Sequence, residues 1–292
     1  MTGTIDIRGH RGARALFPEN TLEGFRAAAA LGVGAFELDV GMTADGVVVV
    51  SHDPALNPDI TRDASGAWLP GRGTLIHELS YAALSRYDVG RIRPGSMTAA
   101  LFPDQRACDS ARIPTLAAVL ASLPQARFTI EVKTDPRHPD WTAPPCALAE
   151  ATLAVVDAAG SAGRVTLESF DWRVQRHVRR IRPDIELAWL TRAETMRDAA
   201  LWLDGSAAGG SVPARVAAEG GPIWAPDHVD LTEDQVREAH ALGLRVLPWT
   251  VNQPADIGRL MAWGVDGLIS DRPDLALDLS ACSVHAASRN PS

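Results

Sequence analysis

Glu37 and Asp39, separated by one residue in "FELDV", are the sharpest chemical feature of this 292-residue sequence. Residues i and i+2 of a strand point to the same side, so both carboxylates face one way and repel each other unless a positive charge lies close by. Glu131, in "TIEVK", adds a third carboxylate, with no cysteine or histidine of zinc-ligand spacing beside it. An all-oxygen set favours a hard cation, so the sequence predicts one Mg²⁺ or Ca²⁺ at these three residues, with Mn²⁺ as an alternative.

Two basic residues accompany these carboxylates. Arg11 follows the first apolar strand, and Lys133 lies two positions after Glu131. A guanidinium fork and an ammonium group around one cavity suit a phosphate. The alternative is that both residues form ion pairs with the carboxylates in the absence of a metal. For Lys133, contact with a ligand and pairing with a carboxylate stay equally open. Glu131 would face the same side as Glu37 and Asp39, and this third carboxylate favours the metal.

His10 and His52 each follow an apolar strand near the carboxylates. The ordinary pKa of a histidine, about 6.5, suits one of them to accept a proton and the other to donate one at neutral pH. Trp249, in "PWTVN", has two interpretations: it packs in a core, or its ring covers the apolar side of a small polyol. The sequence therefore predicts His10 and His52 as catalytic residues and Arg11 as a phosphate ligand, and leaves both interpretations of Trp249 open.

Three further polar residues are predicted to serve mainly the architecture. Asn20 and Glu23 stand three apart at the start of a helical pattern, which predicts an N-cap and its capping-box partner. Asp271, in "ISDRPD", is interpreted as the cap of the last helix. Glu19 stays undecided, because it lies close enough in the chain to orient either His10 or Arg11.

The elements that must position these residues alternate between short apolar strands and helical stretches. Repeated β-then-α units predict parallel strands joined by crossover helices, and about eight units in this length favour a (β/α)8 TIM barrel. The unusual polar residues fall at strand carboxyl ends, where barrel enzymes place their active sites. The predicted strands are Ile5–Arg8, Ala35–Val40, Val47–Ser51, Phe128–Lys133, Val165–Ser169, Glu186–Leu190, Ile223–Ala225, Leu244–Thr250 and Gly267–Ser270.

One interval breaks this alternation. Residues 56–113 are rich in Gly, Pro and Asp, with one helix-like piece near Ser80–Tyr87, and are predicted to form an insertion after the second strand that folds over one end of the barrel. We expect residues 1–280 to form a single catalytic domain and residues 281–292 to form a flexible tail.

Composition narrows the class of protein. There are 28 basic and 36 acidic residues, for a net charge of −8, and no basic stripe, which argues against a nucleic-acid or anionic-membrane partner. Three widely spaced cysteines, the lack of an apolar N-terminal segment and the lack of a membrane-spanning segment predict a cytoplasmic protein. A monomer and a homodimer both stay open.

Taken together, the motifs resemble the glycerophosphodiester phosphodiesterase family. "HRG" is followed by "PENT", "ELDV", "SHDP", "EVK", "WTVN" and "DGLISDRPD" in matching order and spacing, over roughly residues 7–275. The resemblance implies a (β/α)8 barrel with a family-specific insertion, corresponding here to residues 56–113. It also places the family's residues on the eight candidates above: catalytic on His10 and His52, metal-binding on Glu37, Asp39 and Glu131, and substrate-binding on Arg11, Lys133 and Trp249.

The activity implied by the resemblance is metal-dependent hydrolysis of a glycerophosphodiester to sn-glycerol 3-phosphate and an alcohol. The two histidines would act as general acid and base, and a cyclic glycerol phosphate fits an enzyme without an evident serine or cysteine nucleophile. The long insertion departs from commoner members and puts the leaving alcohol, rather than the reaction, in doubt.

Three other functions remain alternatives. A phospholipase D-like enzyme acting on lysophospholipid or sphingomyelin would need an apolar docking loop, for which Trp68, Leu69 and Leu101–Phe102 are candidates. A non-catalytic phosphate- or polyol-binding barrel would not need two proton-transfer groups. A glycosidase would use paired carboxylates without a metal.

Overall fold

The computed structural model describes residues 5–205 and 209–288. Its nine strands are β1 (Asp6–His10), β2 (Ala35–Met42), β3 (Val48–Val50), β4 (Arg127–Val132), β5 (Val165–Ser169), β6 (Glu186–Thr191), β7 (Ile223–Pro226), β8 (Arg245–Val246) and β9 (Gly267–Ser270). Its α-helices are α1 (Leu22–Ala30), α2 (Tyr81–Leu84), α3 (Met97–Leu101), α4 (Leu116–Ser122), α5 (Pro145–Ala158), α6 (Trp172–Ile181), α7 (Ala193–Arg197), α8 (Ala199–Trp202), α9 (Val212–Ala218), α10 (Glu233–Ala241), α11 (Pro254–Ala262) and α12 (Pro273–Ser288).

Eight parallel strands form a barrel, in the order β8-β7-β6-β5-β4-β2-β1-β9. Backbone hydrogen bonds from Asp266 N to Val246 O (3.0 Å) and from Ile269 N to Pro248 O (3.0 Å) link the two ends of this order. The predicted (β/α)8 barrel is thereby confirmed. Strand β8 is hydrogen-bonded as a strand over Arg245–Val246 alone, shorter than the predicted Leu244–Thr250.

Alternation along β2 separates the barrel's core from its polar centre. Phe36, Leu38 and Val40 are fully buried in the apolar layer between the strands and the surrounding helices. Because successive side chains of a strand point to opposite faces, Glu37 and Asp39 point into the barrel. Packing of the helices against the apolar side of β2 therefore holds the strand, and with it the two carboxylates, in place.

Strand β3 is not part of the barrel ring. It pairs antiparallel with β2, with Val40 opposite Val50, through a tight turn in which Gly46 adopts a left-handed φ of 79°. The prediction that this segment forms a strand is confirmed. Its pairing with β2 also positions the residues that follow it. Ser51 N donates to Asp39 O at 3.0 Å, so the hairpin returns the chain, and with it His52, to the carboxyl end of β2.

The insertion 56–113 carries more helix than the sequence predicts. Helix α2 falls within the predicted Ser80–Tyr87 region, while α3 was not predicted. The insertion has an apolar core of its own, formed with Val49 of β3 by Leu56, Ile76, Leu84, Val89 and Ile113.

Two other regions differ from or extend the predictions. Three short helices, α7 to α9, separate β6 from β7. The backbone of residues 281–288 continues helix α12, and residues 289–292 of the predicted tail lie outside the described residues. Within the described ranges, none of the helices combines the length and apolar character that a bilayer crossing requires.

Candidate active site

Three carboxylates meet at the carboxyl end of the barrel. Glu37, Asp39 and Glu131 are all buried, and each offers an oxygen within 4.8 Å of the others. The strand register produces this cluster: Asp39 lies opposite Glu131 across the β2–β4 pair, and Glu37 lies one inward position below Asp39. The cluster predicted from the sequence spacing is therefore formed by the fold.

Negative charge exceeds positive charge around this cluster. Arg11 Nε lies 3.3 Å from Asp39 Oδ2, but the same guanidinium also binds Glu19, from Nη1 to Oε1 at 2.9 Å. Lys133 Nζ lies 2.9 Å from Glu131 Oε1 and 3.6 Å from Asp39 Oδ1. The ion pairs of the metal-free alternative thus exist, yet only Arg11 and Lys133 pair with the three carboxylates of the cluster, and Arg11 is shared with Glu19.

The raised pKa values of Glu37 and Glu131 reflect this excess of negative charge. Burial, and then the neighbouring Asp39, raise the pKa of Glu37 well above its usual value. Burial also raises the pKa of Glu131, to about 6, against the opposing effect of Lys133. The pKa of Asp39 is lowered despite its burial, because Arg11 and other cationic groups stabilise its charge.

The chemistry of the cluster fits a hard divalent cation. The buried Asp39 Oδ1 has no hydrogen-bond partner among the described residues, and burial makes such an atom unfavourable unless a ligand completes it. Glu37, Asp39 and Glu131 are the residues that would hold the cation, and their all-oxygen character matches Mg²⁺, Ca²⁺ or Mn²⁺.

His10 is oriented by a buried carboxylate. Its Nδ1 lies 2.5 Å from Asp271 Oδ1, and its Nε2 lies 3.6 Å from Glu37 Oε2. Although burial alone would raise it, His10 and other partners bring the pKa of Asp271 down to about 2, so this carboxylate only accepts hydrogen bonds. The Nδ1 of a neutral His10 therefore carries the proton, and Nε2 faces the acid cluster as a free base.

His52 has the same arrangement on the other side. Its Nδ1 lies 2.8 Å from Asp53 Oδ1, and Asn57 Nδ2 donates to Asp53 Oδ2 at 2.7 Å. Burial, then Arg11 and Lys133, lower the pKa of His52 to about 4. Burial likewise lowers the pKa of His10. Both imidazoles are neutral near pH 7, each with Nδ1 held by a carboxylate.

The loop after β1 contains a correction to the sequence analysis. Asn20 does not cap helix α1: the cap is Thr21, whose side chain accepts from Gly24 N at 3.0 Å. Asn20 is buried, has a left-handed φ of 54°, and donates from Nδ2 to Asp39 Oδ2 at 3.0 Å. The predicted cap is therefore one residue too early in the chain, and Asn20 belongs to the site instead. Glu19, left undecided by the sequence, binds Arg11.

A cavity of about 470 Å³ opens above the cluster. Of the eight predicted site residues, Asp39 alone is absent from its lining, since it lies just beneath. Trp249 donates from Nε1 to Ala225 O at 2.9 Å, and its ring packs edge-on against Phe170 with centroids 5.4 Å apart. One wall of the cavity is thus aromatic, and Trp249 both packs against its neighbours and faces the cavity. The lining residues among the eight are His10, Arg11, Glu37, His52, Glu131, Lys133 and Trp249.

Sequence reasoning missed several groups that this geometry brings to the site. Asp271 contacts His10 instead of acting simply as a helix cap, and Asn252 Nδ2 donates to its Oδ2 at 2.8 Å. Asp53 follows His52 directly in "SHDP", a polar cluster that offered a signal. Asp271 lies 261 residues from His10, so only the register of β9 beside β1 reveals the pair.

Fold and site together define a class: a (β/α)8 barrel whose carboxyl end carries a carboxylate cluster, two oriented histidines and basic groups that suit a phosphate. Within this class, the chain matches the model of the glycerophosphoryl diester phosphodiesterase family over residues 10–275, and it belongs to that family. The resemblance seen in the sequence motifs is confirmed.

Individual relatives agree with this assignment. The glycerophosphodiester phosphodiesterase of Bacillus subtilis (strain 168) is 28% identical over 272 residues, which cover 91% of this chain and 83% of that protein. A solved structure from Silicibacter pomeroyi DSS-3, provisionally assigned as a glycerophosphoryl diester phosphodiesterase, has a TM-score of 0.90 at 36% identity and covers 97% of this chain and 95% of its own. An Oleispira antarctica phosphodiesterase, solved with the product sn-glycerol-3-phosphate, shares the fold with a TM-score of 0.72 at 21% identity, covering 94% of this chain and 95% of its own.

Proposed function

We propose that this protein hydrolyses glycerophosphodiesters to sn-glycerol 3-phosphate and an alcohol, with one divalent cation at Glu37, Asp39 and Glu131. The observation that carries the proposal is the joining of this acid cluster with two carboxylate-held histidines in one cavity of a family member. The product in the related Oleispira antarctica structure also supports it.

The cation, when bound, would offset charge on the phosphate oxygens and make a neighbouring glycerol hydroxyl easier to deprotonate. Arg11 and Lys133 line the cavity and add positive charge on the side where the phosphate would lie. Their existing bonds to Glu19 and Glu131 fix both side chains before substrate arrives. Preorganised charge of this kind is effective because little reorganisation is needed during the reaction.

The histidines supply the proton transfers. One Nε2 accepts the proton of the hydroxyl next to the phosphate, whose oxygen attacks phosphorus. The other histidine, neutral in the free protein, takes up a proton from solvent at Nε2 when the anionic phosphate lies beside it, and gives that proton to the leaving alcohol as its P–O bond breaks. The resulting cyclic glycerol phosphate is opened by water, and sn-glycerol 3-phosphate is released. Each transfer of this kind typically contributes about 10²–10⁴-fold in rate.

We also propose the cytoplasm as the place of action. Cys108, Cys146 and Cys282 are all free thiols, which supports the expectation of a reducing compartment.

The test is to strip the protein with EDTA and to assay release of glycerol 3-phosphate after restoring Mg²⁺, Ca²⁺ or Mn²⁺. The panel contains glycerophosphocholine, glycerophosphoethanolamine, glycerophosphoglycerol and glycerophosphoinositol, with lysophosphatidylcholine and sphingomyelin as additional substrates. We expect no turnover in EDTA and restored turnover on at least one glycerophosphodiester. No release with any cation would contradict the proposal, and turnover of the two lipids alone would favour the phospholipase D-like alternative.

Matched histidine variants test the proton transfers. His10→Ala and His52→Ala should each lower kcat by about 10²–10⁴-fold while circular dichroism stays unchanged. His240→Ala is the control, because His240 pairs with Asp266 at 3.0 Å on helix α10, away from the cavity lining. Near-normal rates in either site variant would remove that histidine from the mechanism.

A further inference from the structure

Glu168 is a buried acid to which the proposed chemistry assigns no role. It lies on β5, is 2% exposed, and lines the large cavity. Its Oε2 is buried without a hydrogen-bond partner in the described part of the chain. Buried polar atoms are nearly always hydrogen-bonded, so an unpartnered oxygen directed at a cavity marks a place where a ligand completes the bonding.

The strand register fixes where Glu168 stands. Asp39, Glu131 and Glu168 occupy neighbouring positions on β2, β4 and β5, in one row across three strands. Among the described residues, the oxygens within 4.8 Å of one another belong to Glu37, Asp39 and Glu131, so Glu168 stands outside the cation cluster.

On the other side of Glu168 is the aromatic wall. Phe170, two residues further along the chain, packs edge-on against Trp249 at the same cavity. Glu168 therefore lies between the acid cluster and an apolar surface. A polyol whose first hydroxyl and phosphate lie at the cluster, and whose carbons pack on the aromatic rings, brings its next hydroxyl to this carboxyl group.

We propose that Glu168 is a specificity-determining residue that hydrogen-bonds the terminal hydroxyl of the glycerol moiety, the hydroxyl furthest from the phosphate. The inference rests on the proposed function and deepens it: the site selects substrates with an unacylated glycerol. A hydroxyl both donates and accepts hydrogen bonds, so it can pair with the Glu168 carboxyl group in either protonation state. An acyl group on the terminal oxygen would remove the donor and leave the buried carboxyl oxygen unpartnered.

The test compares two substrates and three variants. The substrates are the panel member that is hydrolysed fastest and its analogue in which hydrogen replaces the terminal hydroxyl, which keeps the hydroxyl next to the phosphate. The variants are Glu168→Met, which removes the polar group at similar length, Glu168→Gln, which keeps one acceptor, and Glu186→Gln. The matched control is Glu186, because it is the first residue of strand β6, at the end of the barrel away from the cavity, and does not line the cavity.

We expect the wild type to prefer the full substrate by about 10–100-fold in kcat/KM, the usual effect of losing one hydrogen bond to a buried polar site. Glu168→Met should lose this preference by slowing on the full substrate while its rate on the analogue stays the same. Glu168→Gln should recover part of the preference, and Glu186→Gln should retain all of it. Cation affinity, measured by calorimetry, should stay within about threefold of the wild-type value in both Glu168 variants.

Three results would overturn the inference and leave the proposed function standing. The first is equal wild-type rates on the two substrates, a measurement that needs no variant to fold. The second is an equal loss on both substrates in Glu168→Met, which would indicate a structural role. The third is a loss of cation affinity of about tenfold or more, which would show that Glu168 serves the cation site, as a ligand or as a support of one, rather than the glycerol moiety. Failure of the proposed function is a separate outcome, since the wild type would then release no glycerol 3-phosphate from any panel member.

Discussion

At the scale of single residues, the site consists of reactive groups held by carboxylates. His10 and His52 each rest with Nδ1 against an aspartate, Asp271 and Asp53, at 2.5 and 2.8 Å. Such a carboxylate fixes both the tautomer and the direction of the imidazole, so that Nε2 is the atom available for proton transfer. In the proposed mechanism the aspartates therefore act through the histidines, as positioning residues.

Asp271→Asn should lower kcat strongly while the barrel stays folded. An asparagine amide can donate to Nδ1, which moves the imidazole proton to Nε2 and removes the free base that faces the acid cluster. We expect a fall of at least about tenfold and up to about 10⁴-fold. Steady-state kinetics with the cation present measure it, together with a thermal unfolding curve.

The control is Asp266→Asn, since Asp266 forms a His–Asp pair with His240 at 3.0 Å outside the cavity lining. It should keep wild-type turnover. Equal kcat values for Asp271→Asn and wild type would show that the orientation of His10 does not depend on Asp271.

Residue types and spacing were enough to select candidate residues that the fold brings together, but not to predict their partners. Glu37 and Asp39 are two apart on one strand, so strand periodicity alone places them together. Asp271 meets His10 across 261 residues, and Glu168 meets the cavity through the register of β5. Such long-range pairs depend on which strand lies beside which, and local periodicity carries no information about that.

At the scale of elements, the junction between the loop after β1 and helix α1 separates binding from architecture. Thr21 caps the helix, and its immediate predecessor Asn20 holds Asp39. The backbone of Asn20 is left-handed, a conformation that asparagine tolerates better than most residues, and its N donates to Arg11 O at 3.0 Å. One turn thus connects the helix start to the arginine and to the acid cluster.

Neighbouring substitutions at this junction should have different effects. Thr21→Ala should lower the free energy of unfolding by about 1 kcal/mol, the usual cost of losing a cap, with turnover and cation affinity kept. Asn20→Gly permits the positive φ and deletes the amide, so we expect cation affinity to fall by about 10–100-fold as Asp39 loses its support. Urea unfolding and calorimetric cation titration measure the two effects. Weakened cation binding in Thr21→Ala, or unchanged binding in Asn20→Gly, would contradict this division.

Several barrel strands were predicted well, and several of the short helices were not. Val165–Ser169 and Gly267–Ser270 have the bounds that the sequence predicts. The helix pieces α3 and α7 to α9 have at most seven residues each, too few for a hydrophobic period to be distinguished from chance. The cap at Thr21 was missed because Asn20 and Thr21 are both good caps, and tertiary contact with Asp39 decides between them.

At the scale of the whole molecule, the barrel concentrates buried acid at one end. Burial, and then Glu131, raise the pKa of Glu168 to about 8, against an ordinary value of 4.5. Burial also raises the pKa of Glu131 to about 6. Without a cation, the folded protein therefore holds protons at this end that the unfolded chain has already released above about pH 5.

This difference predicts that the metal-free wild type loses stability relative to Glu168→Gln as pH rises. A group whose folded pKa lies above its unfolded pKa contributes stability below the unfolded value, and that stability is lost as pH rises through the folded value. For Glu168 the window runs from about 4.5 to about 8. A glutamine at 168 has no proton to lose, so the two proteins should diverge by about 1.4 kcal/mol for each pH unit in the middle of this window.

Urea unfolding in EDTA, at several values between about pH 5 and about pH 8.5, measures the divergence. Adding Mg²⁺ or Ca²⁺ should reduce it, because a bound cation offsets the charge of Glu131, the neighbour that contributes most after burial to the pKa of Glu168. It should also stabilise the wild type by about 2.7 kcal/mol at a hundredfold excess over the dissociation constant. Parallel stability curves for wild type and Glu168→Gln in EDTA would show that Glu168 titrates normally, and that the barrel does not concentrate acid in the way its strand register indicates.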